Sequence, residues 1–357
     1  MEEEAPGQPD SLGKKGREMK TLTTMTALLL LSSGASFAQD ENIELRFSSW
    51  VPPQHAMHTA VKEWSDSISA ASNGTITVTL YPSEQLGKAN DHYDMARDGI
   101  ADITYLNVGY QAGRFPIAEA VHIPFMLANA DGGSMAFDEW YRPQAATEMS
   151  DVKYCLGFAH DPGTFHSKKE LRTPDAISGM KIRSGNATIA DYVTLLGGTN
   201  VRVSAPEARA ALESGVADAL TFPWESVRLF GIDNVVTHSM DAQLYVSGFA
   251  WVMNQGTYDA MSDAQKKVMD DHCTTEWSGV VGRTWGAYER AGRDELAAKD
   301  GYTVYELTAD ELAVWKESAA PIREQWLKNA TAAGVADAAA SLADFEAKLE
   351  ARDSRAE

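Results

Sequence analysis

The chain has 357 residues, of which 44% are apolar, and a formal net charge of −20 at pH 7. This length allows a large core and two domains of ordinary size. A surface this acidic repels phosphate backbones, which argues against nucleic acid as a partner.

The N-terminal segment, residues 1–38, is typical of a secretory signal peptide. Its stretch MKTLTTMTALLLLSSGASFA has Lys20, a run of leucines, and small residues Ser36 and Ala38 near a cleavage point. The acidic stretch before it is atypical of such a leader, so Met19 is the suspected start. No later segment approaches the roughly 18 consecutive apolar residues of a membrane span. We therefore expect an exported, soluble, periplasmic protein.

The chain has two cysteines, Cys155 and Cys273. They could pair in an oxidising compartment, but their distance in sequence says nothing about their distance in space. Their pairing stays open, and neither has the spacing of a metal site.

The first half of the chain alternates strands and helices. IELRFSS (43–49) and TITVTLY (75–81) alternate apolar and polar residues, which predicts strands, whereas residues 57–68 have apolar residues at helical spacing. A helix ending at Gly99 and a strand around 103–106 complete a β-α-β-α-β order. This order is typical of an open α/β lobe.

The middle of the chain repeats this order, with strands predicted at 181–183, 200–203 and 218–221. LYVSGFAWVMN (244–254) is predicted to be one long strand, of a kind that two lobes can share. All of the sequence after it is predicted to be helical.

Two α/β lobes behind a signal peptide suggest a secreted protein that closes around a ligand. The rival class is an exported hydrolase, but the sequence has no G-x-S-x-G or HExxH motif. His55 and His58, with Glu63 nearby, could be part of a metal site, but the eight histidines form no complete ligand set. We therefore predict no catalytic activity, no metal and no cofactor.

Several stretches resemble the solute-binding (DctP-type) subunit of tripartite ATP-independent periplasmic (TRAP) transporters. They are ASNGTITVTLYPSEQLG (71–87), RDGIADITY (97–105), FPIAEAVHIPFML (115–127), ISGMKIRSGN (177–186) and ESGVADALTFPWESV (213–227). They follow the family's order, and the likeness covers roughly residues 43–348.

The resemblance implies an α/β, two-lobe periplasmic binding protein-like fold with shared strands and a long C-terminal helix. It implies that the lobes close on a small-molecule solute and hand it to sodium-driven membrane subunits. We expect lobe I to comprise 39–160 and about 250–285, and lobe II 161–249 and about 286–350 with bridging C-terminal helices. A monomer is favoured over a dimer.

In that family the arginine of the KIR motif holds the solute's carboxylate, and Arg183 occupies this position. A guanidinium is a planar fork that pairs with both oxygens of a carboxylate, most strongly in a cleft without water. The alternative is that Arg183 pairs with a cleft acid such as Glu225 and only shapes the pocket.

Two positions depart from the family pattern. Phe165 follows the Gly-Thr pair where many members have a second arginine, and Phe222 precedes Pro223 where many have an asparagine. These polar anchors have become aromatic, and a dicarboxylate or sugar acid needs more donors than Arg183 alone supplies.

Aromatic faces combined with an acid favour an ammonium group. The candidate wall residues are Phe165, Phe222, Trp224, Trp50 and Tyr105, with Glu225 or Asp161 offsetting the charge and Asn107 as a polar contact. Each ring could equally be part of a lobe core. The preferred solute is a small amine or zwitterion, such as an amino alcohol or a betaine. The alternative is a monocarboxylate, including an aromatic one, bound by Arg183.

Overall fold

The computed structural model describes residues 41–356, so the predicted signal peptide lies outside the described residues. The strands in chain order are β1 (Ile43–Ser48), β2 (Ile76–Tyr81), β3 (Ile103–Asn107), β4 (Val152–Ala159), β5 (Thr164–Ser167), β6 (Lys181–Arg183), β7 (Thr199–Val201), β8 (Ala219–Phe222), β9 (His238–Asp241), β10 (Gly248–Asn254) and β11 (Thr303–Glu306). The helices are α1 (Met57–Ala71), α2 (His92–Arg97), α3 (Ala130–Glu148), α4 (Ala187–Leu195), α5 (Ala208–Glu213), α6 (Trp224–Leu229), α7 (Gln255–Asp259), α8 (Asp263–His272), α9 (Thr275–Ala297), α10 (Ala309–Ser318), α11 (Ala320–Ala332) and α12 (Ala338–Glu350).

The strands form two mixed sheets, each at the centre of one lobe. The first sheet has the order β2-β1-β3-β10-β4, and the second has the order β11-β9-β5-β8-β6-β7. In the first lobe β1 is parallel to β2 and β3, and in the second lobe β6 is parallel to β7 and β8. The predicted α/β class with two lobes is confirmed.

The chain crosses between the sheets three times, from β4 to β5, from β9 to β10, and from β10 to β11 through α7, α8 and α9. The first two crossings pair with each other, since the Gly163 N–H donates to the Tyr245 carbonyl at 2.8 Å. The predicted strand 244–254 is therefore too long, because β10 begins only at Gly248 and the residues before it form the crossing. The lobes share these two crossing segments.

The prediction of helix from residue 255 to the end is wrong at one place. Strand β11 interrupts the helices and pairs in parallel with β9, with Thr303 opposite His238. A four-residue strand on the edge of a sheet depends on this distant partner, and its sequence carries little periodicity of its own.

The long helix α9 connects the lobes. It packs against α1, α3 and β4 of the first lobe and against α6 and β11 of the second. Close approach to α6 requires Gly292, because a side chain there would run into the backbone of Glu225. Its residues Val281, Trp285 and Leu296 belong to one hydrophobic core that contains residues of both sheets.

The remaining C-terminal helices return to both lobes. Helix α11 packs on α4 of the second lobe, whereas α12 packs on α3 of the first and buries Leu342 and Phe345 there. The predicted lobe boundaries near residues 160 and 250 remain a prediction.

Two further features bear on the expected class. Cys155 in β4 and Cys273 just before α9 form a disulfide, which answers the open question of their pairing. None of the helices between residues 41 and 356 is long and apolar enough to cross a bilayer.

Candidate ligand-binding cleft

A cavity lies between the lobes, where the carboxyl ends of β1, β3, β6 and β8 converge. The carboxyl ends of parallel strands are the usual place for ligands in open α/β sheets. The cavity is lined by Trp50, Val51, His55, Asn107, Tyr110, His160, Arg183, Gly185, Ala205, Phe222, Pro223, Ser226, Phe230, Tyr245, Ser247, Phe249 and Trp285.

Arg183 is the last residue of β6, and its side chain is buried in the cavity wall, with only 2% of the residue exposed. Its Nε–H donates to the Val203 carbonyl and its Nη1–H to the Thr221 carbonyl, both at 3.1 Å. Its guanidinium carbon lies 5.1 Å from the centre of the Phe222 ring. These contacts, all within the second lobe, hold the guanidinium in place.

The charge of Arg183 forms no ion pair in the described part of the chain. No carboxylate of residues 41–356 lies within 4.0 Å of its nitrogens. The suggested partner Glu225 instead pairs with Arg228 at 2.6 Å. The Glu207 carboxylate, whose pKa is lowered mainly by its hydrogen bonds to Ser204, interacts with this charge only from a longer distance. A buried cation without a carboxylate in contact is costly, and an anionic ligand would relieve that cost.

Tyr110 brings the first lobe to this arginine. Its hydroxyl oxygen accepts from the Nη2–H of Arg183 at 3.0 Å and from the Ala205 N–H at 2.9 Å. Both lone pairs are thereby occupied, and the hydroxyl proton has no acceptor among residues 41–356. Tyr110 thus links the two lobes and retains a donor beside the guanidinium.

Aromatic rings form much of the remaining wall. Trp50 stacks on Tyr105 with ring centres 4.9 Å apart, and Phe249 packs against Trp285 at 4.8 Å. Phe222, from the second lobe, lies against the guanidinium of Arg183. Such a wall suits a flat or apolar ligand body, because rings bury large areas with few conformations to lose.

Arg183 carries the only charge among the described lining residues at neutral pH. Burial lowers the pKa of His55 to about 3 and that of His160 to about 4, so both imidazoles are neutral. The lining residues include no aspartate or glutamate. The cavity therefore has a net positive charge.

Glu289 of α9 supports the wall from behind. Its carboxylate accepts from the Trp285 indole N–H at 2.6 Å, from the Ser226 hydroxyl at 2.8 Å and from the Glu225 backbone N–H at 2.6 Å. Burial raises the pKa of Glu289 to about 7, and these donors oppose the rise. Glu289 fixes Trp285 and the start of α6 relative to each other.

The candidates from sequence divide into two groups. Arg183, Phe222, Trp50 and Asn107 line the cavity. Tyr105 lies directly behind Trp50, whose indole N–H donates to the Tyr105 carbonyl at 3.0 Å. These five residues lie together at one site.

The other four candidates do not line this cavity. Phe165 points to the far side of β5 and packs against Trp315, with ring centres 5.6 Å apart, and Trp224 packs edge-on against His166. Asp161 accepts from the Ala130 N–H at 2.7 Å and from Arg290 at 2.8 Å, so it caps α3. Glu225 is bound to Arg228, as described above.

Several lining residues were not identified from the sequence. Tyr110 and Tyr245 come from loops whose approach to Arg183 depends on how the lobes meet. His55 was considered only as part of a metal site with His58. His58 instead bonds to the Ser49 hydroxyl at 3.0 Å, outside the cavity. The ring-rich run from Tyr245 to Trp251, at the start of a strand, was the available signal.

Two α/β lobes joined by two crossings and a bridging helix, with a buried cleft between them, define a bilobal solute-binding protein. Comparison with known families agrees. Residues 47–329 match the family described as bacterial extracellular solute-binding protein, family 7 (DctP), and the chain belongs to this family. It is a DctP-type solute-binding protein of the TRAP transporters, a family of receptors and not of enzymes.

Three relatives show how similar the chain is to characterised proteins. A marine metagenome TRAP protein specific for aromatic acids, crystallised with 3-hydroxybenzoate, is 32% identical, with a TM-score of 0.82 over 88% of this chain and 99% of that one. A TRAP protein from Rhodoferax ferrireducens T118 with copurified benzoate is 29% identical, with a TM-score of 0.82 over 87% and 99%. The ectoine-binding periplasmic protein TeaA of Halomonas elongata is 21% identical over 72% of this chain and 77% of that protein.

Proposed function

We propose that this chain is the periplasmic receptor of a TRAP transporter and that its solute is a monocarboxylate carrying an aromatic ring. The observation that carries the proposal is Arg183, a buried guanidinium in the cleft wall that forms no ion pair among residues 41–356.

The carboxylate would pair with Arg183. Three of the five guanidinium N–H groups already donate to protein oxygens, which leaves two, one on each terminal nitrogen. Together with the unpaired hydroxyl proton of Tyr110, they provide three donors for one carboxylate. A second carboxylate would find no further cation among the described lining residues, which favours a monoacid.

The ring of the solute would lie against Trp50, Phe222, Phe249 and Trp285. Related proteins support this choice. The two structures at 32% and 29% identity hold 3-hydroxybenzoate and benzoate, and a third, from Bordetella bronchiseptica at 28% identity, holds mandelate.

The amine or zwitterion preferred on sequence grounds has less support. That preference needed an acid beside the rings, and both acids considered, Glu225 and Asp161, are bound to arginines outside the cavity. An ammonium group in the cleft would instead lie near the positive charge of Arg183, which opposes its binding.

In transport, the receptor would bind the solute between its lobes in the periplasm and deliver it to the membrane subunits as a monomer without catalytic activity. The solute would favour the closed form, because it contacts both lobes only there.

A thermal-shift screen of the purified protein tests the proposal. The panel contains benzoate, 3-hydroxybenzoate and mandelate as aromatic acids, succinate and glucuronate as other acids, and choline, glycine betaine and ectoine as cations and zwitterions. A ligand present at 100 times its dissociation constant stabilises the folded state by about 2.7 kcal/mol. We expect aromatic acids to raise the melting temperature by several degrees and the others to have little effect.

Stabilisation by choline or ectoine, without any effect of the aromatic acids, contradicts the proposal. Stabilisation by succinate or glucuronate alone would retain the role of Arg183 but rule out the aromatic ring.

A further inference from the structure

His55 is a buried donor in the wall of the cleft. It lies in the loop between β1 and α1, is 2% exposed, and its ring contacts Trp285 and Tyr288 at 5.1 and 5.5 Å between centres. Its Nδ1 accepts a hydrogen bond from the Met57 N–H at 3.0 Å. A neutral imidazole has one proton, so this hydrogen bond assigns the proton to Nε2.

The Nε2–H of His55 has no partner among residues 41–356, although the residue lines the cavity. Asn107, in the same wall, also has a side-chain donor without a partner. Its side-chain oxygen accepts from the Gly109 N–H at 2.9 Å, and its amide nitrogen has no acceptor among the same residues. Both side chains therefore offer hydrogen-bond donors to the cavity.

These donors are separate from those around Arg183. Arg183 is held by second-lobe carbonyls and Tyr110, whereas His55 and Asn107 belong to the first lobe and make no hydrogen bond to it. Both donors are open to the cavity, so a solute that fills it would cover them, and a donor covered without an acceptor is unfavourable. The solute should therefore supply an acceptor here as well.

We infer that His55, together with Asn107, makes the cleft selective for aromatic acids with a second acceptor oxygen remote from the carboxylate, and that the His55 Nε2–H donates to that oxygen. This inference rests on the proposed function. The oxygen belongs to a hydroxyl, carbonyl or ether group on the ring or its side chain. A site built for such a group discriminates against analogues that lack it.

Ligands of matched size test the inference by isothermal titration calorimetry. In both the 3- and the 4-substituted series, formylbenzoate offers an acceptor only, methylbenzoate offers neither donor nor acceptor, and (ammoniomethyl)benzoate offers donors only. In whichever of the two series binds more tightly, we expect formylbenzoate to bind about tenfold more tightly than methylbenzoate, as one hydrogen bond allows. The ammonium compound should bind most weakly.

The variant His55→Asn separates recognition from structure. The asparagine oxygen can still accept from the Met57 N–H, whereas the donor at the position of Nε2 is lost. We expect the preference for formylbenzoate over methylbenzoate to fall from about tenfold to less than threefold. If His55 has only a structural role, the variant should bind both ligands more weakly by the same factor, and the ratio of their affinities should not change.

The matched control is His58→Asn, three residues further along, whose ring contacts Ser49 and Pro53 outside the cavity. This change should leave the ratio of the two affinities near tenfold. If His55→Asn also leaves the ratio unchanged, or if methylbenzoate equals formylbenzoate in both series with the original protein, the inference is wrong while an aromatic-acid receptor remains. If none of the acids binds, the proposed function fails first.

Discussion

The two lobes have the same local architecture but contribute different chemistry to the cleft. In each lobe a strand follows a Gly-x-Ala-Asp turn, at Gly99–Asp102 before β3 and at Gly215–Asp218 before β8. In each, the aspartate accepts the backbone N–H of the neighbouring strand, Arg46 N–H to Asp102 at 2.9 Å and Lys181 N–H to Asp218 at 2.8 Å. Equivalent turns therefore set the neighbouring strands in equivalent positions.

The strands diverge at their opposite ends, where they reach the cleft. In the first lobe β3 ends in the neutral donor Asn107 and its neighbour β1 in Ser48. In the second lobe β8 ends in Phe222 and its neighbour β6 in Arg183. Arg183 is held by carbonyls of its own lobe, and only Tyr110 reaches it from the other. The second lobe thus carries the charge that would bind the proposed acid, and the first lobe adds rings and neutral donors that would contact the rest of the solute.

Replacing the charge should have the largest effect. We expect Arg183→Ala to weaken the binding of 3-hydroxybenzoate at least 100-fold, about 3 kcal/mol, because the carboxylate loses its bidentate partner in a water-poor site. Arg183→Lys keeps the charge but loses the planar pair of donors, so its affinity should lie between those of the original protein and Arg183→Ala. Isothermal titration calorimetry measures both.

The control is Arg283→Ala, which removes an exposed positive charge on α9 and should leave the affinity within twofold. A loss of less than tenfold for Arg183→Ala means that the first lobe binds the carboxylate, and the division of roles proposed for the lobes would be reversed.

The disulfide makes a second difference between the lobes, because it ties β4 of the first lobe to the start of α9. Its cysteines are 118 residues apart. A cross-link over such a loop typically stabilises a fold by about 2 to 4 kcal/mol. We expect Cys155→Ser/Cys273→Ser to lower the free energy of unfolding by that amount in urea titrations.

Both cysteines lie outside the cleft, so the double variant should bind 3-hydroxybenzoate with unchanged affinity at temperatures where it is folded. A weaker affinity without a loss of stability contradicts the view that the disulfide only supports the first lobe.

The sequence predicted the strand and helix order of both lobes well, because periodicity and turn residues are local signals. It failed where partners are distant. Strand β11 exists because β9 lies beside it, and β10 begins at Gly248 because the preceding residues must cross between sheets. Neither requirement can be read from a window of neighbouring residues.

The same reason limits prediction of the site. Arg183 could be assigned because its motif resembles a known family, and Phe222 was selected with it. Phe165 was expected at the cleft but faces the other side of β5, because the pairing of Thr164 with Phe222 sets which side chains point inward. Tyr110 was missed because its contact with Arg183 exists only when the lobes meet.

The smallest expected effect tests that contact between the lobes. Tyr110→Phe keeps the ring but removes the oxygen that accepts from Arg183 and Ala205, so we expect the affinity for 3-hydroxybenzoate to fall about fivefold to tenfold, close to 1 kcal/mol. Because the second lobe can capture the acid without Tyr110, the dissociation rate should rise and the association rate should change little. Stopped-flow tryptophan fluorescence measures both rates. Tyr258→Phe, which removes a hydroxyl bonded to Asp270 outside the cavity, is the control and should change neither rate. A slower association with unchanged dissociation would instead mean that Tyr110 contacts the solute in the first binding step. Both lobes, and not the second lobe alone, would then bind the acid at first.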